Sequence, residues 1–124
     1  MAKKEPIFLN FTNHPFEFWE DEQKVAARQY GEIMEIGFPQ IQPMDDERKI
    51  RELAEAYAER ISAIAEHRKV TVHIMGEMTF VYATVSLLKK RDITCVASTT
   101  KRKSSMIDNR NKLSEFQFVR FREY

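Results

Sequence analysis

A chain of 124 residues with 43% hydrophobic and 31% charged side chains can bury one core but not two, and its composition is neither disordered nor low in complexity. A formal net charge of +1 excludes a global basic field for duplex nucleic acid, and a single cysteine, Cys95, excludes an internal disulfide and a multi-cysteine zinc site. No run approaches the roughly 18 apolar residues of a membrane span, and Met, Ala, Lys, Lys, Glu, Pro at the N-terminus lacks the apolar stretch of a signal peptide, so a single cytoplasmic domain over residues 1–124 is expected.

After Pro6, the run Ile7, Phe8, Leu9, Asn10, Phe11 reads as a central strand buried on both faces. It ends in Thr12, Asn13, His14 and Pro15, where proline holds His14 extended and the short polar side chains favour a turn. Glu20, Asp21 and Glu22 start a helix expected over residues 18–30, with Val25, Ala26, Ala27 and Tyr30 along it and Gly31 as its stop. Residues 32–36 form strand two. A loop with Pro39 and Pro43 leads to the acidic start of a helix in which Ile50, Leu53, Ala54, Tyr57, Ile61 and Ile64 recur at helical spacing.

Strand three covers residues 70–75, with Val70, Val72 and Ile74 on one face and Thr71, His73 and Met75 on the other. Gly76 ends it, and an apolar helix over about 79–91 and strand four over 93–98 follow. Strands alternating with helices predict a Rossmann-like open α/β sheet of three layers, with parallel strands in the order 2-1-3-4. Residues 101–107 and 113–121 flank the polar turn Asp108, Asn109, Arg110, Asn111 and predict a C-terminal β-hairpin, with Phe116 and Phe118 on one face and Val119 and Phe121 on the other. Charge is uneven: residues 101–124 hold 7 basic and 3 acidic side chains, a local excess of four.

In that strand order the topological switch point lies between strands one and three, where free backbone N–H groups and a helix dipole suit a ligand. Three polar corners are expected to meet there. Asn13 and His14 fit a phosphate, a ribose or proton transfer, and equally a loop bonded to itself. At the helix start, Glu77 fits a base or ribose edge or the helix dipole, and Thr79 a phosphate or a helix cap. Ser98, Thr99, Thr100, Lys101 and Arg102 fit an oxyanion cradle or a solvated hairpin edge. His73 reads as a packed histidine with its hydrogen bond satisfied, and Cys95 as a small core residue. Trp19, with Phe16 and Phe18, fits base stacking, core packing or a dimer contact. His14, His73 and Glu77 have no metal-ligand spacing, and no dinucleotide, P-loop, HExxH or GxSxG motif is present, so no cofactor is expected.

The corners Asn10-Phe11-Thr12-Asn13-His14-Pro15, Met75-Gly76-Glu77-Met78-Thr79 and residues 97–102 resemble those of small stand-alone CRISPR-associated Rossmann-fold (CARF) proteins. The resemblance spans most of the chain in layout but only these loops in sequence. It implies a homodimer that binds a cyclic oligoadenylate, the second messenger of type III CRISPR defence, with cyclic tetra-adenylate favoured. It also implies a metal-independent ring nuclease in which a ribose 2′-hydroxyl attacks the adjacent phosphate. The ligand would lie against Asn10, Thr12, Asn13, Gly76, Glu77, Thr79, Ser98, Thr99 and Thr100. His14 would serve as acid or base, and Lys101 or Arg102 would stabilise the phosphorane. A messenger-binding protein without turnover, or a flavodoxin-like domain for another phosphorylated metabolite, fits the same residues.

Overall fold

The computed structural model describes residues 4–124. The expected domain of residues 1–124 includes residues 1–3, which lie outside the described residues. β1 (Ile7–Thr12) is buried along its whole length, as a strand apolar on both faces must be when it is central. It pairs in parallel with β2 (Glu32–Glu35) on one side and β3 (Val70–Met75) on the other. β3 pairs in parallel with β4 (Thr94–Met106), and β4 pairs antiparallel with β5 (Lys112–Glu123). The chain is thus α/β, with a five-stranded mixed sheet in the order β2-β1-β3-β4-β5. The expected 2-1-3-4 order and the terminal hairpin are both present.

Alternation along the strands decides what each face holds. Ile7, Leu9 and Phe11 of β1 and Val70, Val72 and Ile74 of β3 pack against α2 (Glu47–Ala65) and α3 (Met78–Lys90). The first turn of α2 is capped by the carboxylate of Asp46, which accepts from the Lys49 amide at 2.9 Å. On the opposite face Phe8 and Val96 meet Trp19, Ala27 and Phe121 under α1 (Asp21–Arg28). Eight residues make a helix only about 12 Å long, and the carboxyl ends of β1 and β3 and the middle of β4 on that face stay open beside it.

Three expectations are corrected. The helix expected over residues 18–30 is split into a 3-10 turn, Phe16–Phe18, and α1, because Trp19 and Glu20 are extended between them. Strand four does not stop at Ser98. It continues to Met106, and its polar outer half pairs only with β5, with both faces in solvent, so no apolar alternation marks it as strand.

The third concerns β5. Thr99 pairs with Arg120 but Thr100 pairs with Phe118, so Val119 is an unmatched residue, a β-bulge. The bulge shifts the alternation by one, and Phe118 and Phe121 therefore share a face, with ring centroids 4.9 Å apart. Val119 is left exposed. Among the described residues no helix is long and apolar enough to cross a membrane.

Candidate functional site

A cleft of about 400 Å³ opens at the carboxyl ends of β1 and β3 and against the middle of β4, on the α1 side of the sheet. Thr12, Asn13 and His14 form one wall, Ser98 and Thr100 another, and His73 and Met75 lie between them. Phe18, Phe116 and Phe118 add aromatic surface, while Glu20 and Gln23 reach it from the α1 side. Two of the three expected corners therefore meet, at the point between β1 and β3 where the strand order reverses.

The loop after β1 is held by its own hydrogen bonds. The backbone carbonyl of His14 accepts from Asn10 Nδ2 at 3.0 Å and from Trp19 Nε1 at 3.0 Å, and the His14 amide donates to Thr12 Oγ1 at 3.1 Å. Asn10 and Thr12 are buried and serve to position this loop. The corner is bonded to itself, and the exposed ring of His14 still borders the cleft. Trp19 is a core residue, as one of its readings held. Its neighbour Phe16 lies under the cations of Lys24 and Arg28, and Phe18 is the exposed aromatic of the three.

The third corner lies elsewhere. Gly76 and Thr79 line a separate, largely apolar depression along α3 that also involves Tyr82 and Tyr124. Thr79 does not cap α3. The cap is Glu77, whose carboxylate accepts from the amides of Thr79 and Phe80 and from the Thr79 hydroxyl. Those hydrogen bonds, led by the Thr79 hydroxyl, hold the Glu77 carboxyl below its usual value. The N–H groups expected to receive a phosphate thus already carry an anion, and the ring of Phe38 packs so closely on Gly76 that a Cβ there would collide with it. Glu77→Ala is expected to lower stability by about 1 kcal/mol through loss of this cap. An unchanged midpoint in urea would overturn the assignment.

On β4 the hydroxyls divide by face. Ser98 and Thr100 look into the cleft, whereas Thr99 Oγ1 donates to the Arg120 carbonyl at 3.1 Å and accepts from the Arg120 amide, bracing the bulge. Lys101, opposite Gln117, alternates away from the cleft face. Arg102 shares the face of Thr100, but its guanidinium donates to Ser114 Oγ at 3.1 Å, outside the cleft. Of the expected catalytic residues, only His14 borders the cleft.

Cleft residues not expected as site residues include His73, Met75, Glu20, Gln23 and the Phe116/Phe118 pair. Asn10 and His73 are register partners on adjacent strands. Two polar residues at one level of a buried sheet were the signal that could have been read. Burial, and secondarily the neighbouring His14, pushes the His73 pKa down to about 4, so its ring is neutral. Cys95 is a core residue as expected, its thiol pushed up to about 12 by burial. Among the described residues no group of three or more His, Cys, Asp or Glu side chains is arranged to hold a metal ion.

The model of the family described as uncharacterized protein MJ1673 family matches residues 6–122. No curated protein and no solved structure matches the chain.

Proposed function

The chain belongs to the uncharacterized protein MJ1673 family, and we propose that it is a cytoplasmic, Rossmann-like protein of the CARF type that binds a cyclic oligoadenylate. The observation that carries this reading is that His14, His73, Ser98 and Thr100 share one cleft at the strand-order reversal. Its volume lies within the roughly 300–1,000 Å³ of small-molecule sites, and its aromatic walls offer π-faces for bases. A ring of repeated nucleotides suits two equal clefts related by a two-fold axis, so the active species is a homodimer. The exposed apolar side chains of the hairpin, Leu113, Phe116 and Val119, favour the hairpin as part of that contact.

In the catalytic form of the proposal, the ligand's own 2′-oxygen bonds to phosphorus and the bond from phosphorus to the 5′-oxygen breaks. The products are a 2′,3′-cyclic phosphate and a free 5′-hydroxyl. His14 takes the 2′ proton, and a proton returned from its ring ends on the leaving 5′-oxygen. Arg102, on the cleft's side of the hairpin, is the cation assigned to the phosphorane. Lys101 is not assigned that role, because it alternates to the other face.

A second reading, retention of the messenger without turnover, is favoured by the engagement of Arg102 with Ser114, which leaves neither expected cation in the cleft of one chain. Incubation with cyclic tetra-adenylate and cyclic hexa-adenylate without added metal, followed by chromatography, separates the readings. Linear products are the expected result, lost in His14→Ala. Tightly retained, intact ligand supports the second reading. Failure to bind either ring overturns both and turns attention to other phosphorylated metabolites.

A further inference from the structure

The hydrogen bonds beneath the cleft dictate which nitrogen of His73 carries a proton. Asn10 Nδ2 donates to the His14 carbonyl at 3.0 Å and to Glu35 Oε2 at 2.8 Å, so the orientation of the Asn10 amide is fixed by two acceptors. Its Oδ1 is therefore the atom facing His73, and it lies 3.2 Å from Nδ1. An amide oxygen only accepts, so Nδ1 must bear the hydrogen. The other nitrogen, Nε2, is then a bare lone pair. It is buried and has no partner among the described residues, although His73 as a whole is only 2% exposed and borders the cleft.

A buried acceptor without a donor is costly unless something supplies one. The surroundings narrow the donor's chemistry. Phe116 and Phe118 on the cleft wall suit a flat ring, and the nearly buried Gln23 adds an amide to the same cleft. Resting on the reading of the cleft as a cyclic oligoadenylate site, we infer that ligand entry shifts the side chains covering His73 enough to uncover Nε2, which then accepts a hydrogen bond from the exocyclic amine of an adenine. The cleft thereby takes a 6-aminopurine and refuses a 6-oxopurine. The refusal is physical: a carbonyl at that position sets oxygen against the nitrogen lone pair, and no proton is available to bridge them.

The relay is one of positioning. Glu35 orients Asn10, Asn10 fixes the His73 tautomer, and the tautomer fixes the sign of the contact offered to the base. Neither Glu35 nor Asn10 needs to touch the ligand for this to hold.

The test uses the full chain and two probes, cyclic tetra-adenylate and its all-hypoxanthine counterpart, titrated by calorimetry. The wild type is expected to prefer the adenine ring by roughly tenfold or more. His73→Phe, with folding checked by its denaturation midpoint, is expected to bind both rings equally. The tautomer is read independently from imidazole ¹⁵N spectra of the wild type, which does not depend on the variant folding. A protonated Nε2, or equal wild-type affinity for the two rings, overturns this inference and leaves the messenger reading standing. Binding of neither ring removes both.

Discussion

Phe8→Ala is expected to cost about 3–5 kcal/mol, a large share of the roughly 5–15 kcal/mol that holds a domain together. Phe8 is completely buried, and its ring lies among those of Tyr30, Trp19, His73 and Phe121, at centroid distances of 5.4, 6.3, 5.9 and 4.9 Å. These neighbours come from the 3-10 turn and α1 region, β3 and β5. Removal of the ring therefore opens a void where several elements meet, and none can close it without disturbing the others. It also removes the surface against which His73 stacks. Denaturant unfolding with an unchanged slope is the measurement, and a loss below about 1 kcal/mol would refute the account. Phe116→Ala is the contrast. That side chain is 63% exposed, and its loss is expected to stay within about 0.5 kcal/mol.

Acidification is expected to weaken the fold by about 3 kcal/mol through His73 alone. The sign follows from proton counting. In the unfolded chain the histidine titrates at its ordinary 6.5, while in the folded protein burial, and after it the neighbouring His14, holds it at about 4. Between those values the unfolded state binds the extra proton. The stabilisation is therefore fully present above about pH 6.5 and is lost as pH falls toward 4. His14 and Glu20 border the same cleft, and Glu35 is linked through Asn10, so these groups must be held constant in the comparison. Unfolding midpoints measured between pH 7 and 4 should fall in the wild type and be flatter in His73→Phe. Equal slopes in the two proteins would show that the ring is not the group responsible.

The parts of the fold visible in the sequence were those in which one residue's environment is set by its near neighbours. Val70, Val72 and Ile74 against Thr71, His73 and Met75 give both faces of β3 directly, and Asp46 marks the start of α2. The order of the strands followed from their alternation with helices. The rest depended on pairing. The outer half of β4, from Thr99 to Met106, is strand only because β5 lies beside it, and the Val119 bulge cannot be seen in β5 by itself. Once the bulge is known, Thr99 and Phe118 change roles: one braces a backbone irregularity, the other turns toward the core.

The candidate site shows the same division. His14, Ser98 and Thr100, which border the cleft, stood out in the sequence because short runs of polar side chains are a local signal. Thr79 was misplaced as a cap because the carboxylate two residues earlier reaches the amides first. His73 was read as a satisfied core histidine. Half of that is right: Nδ1 has its partner, and the other nitrogen is exposed as unpaired only when the three-dimensional network is followed.

The position of β1 between β2 and β3 also constrains how the molecule is made. Asn10 and His73 stand side by side in the sheet yet are 63 residues apart along the chain. During synthesis the first strand can acquire its second neighbour only after a further half of the polypeptide has left the ribosome. Until then one long edge of an apolar ribbon is unpaired. Closure of that long loop, rather than formation of the local β4–β5 hairpin, is expected to set the pace at which the native sheet assembles.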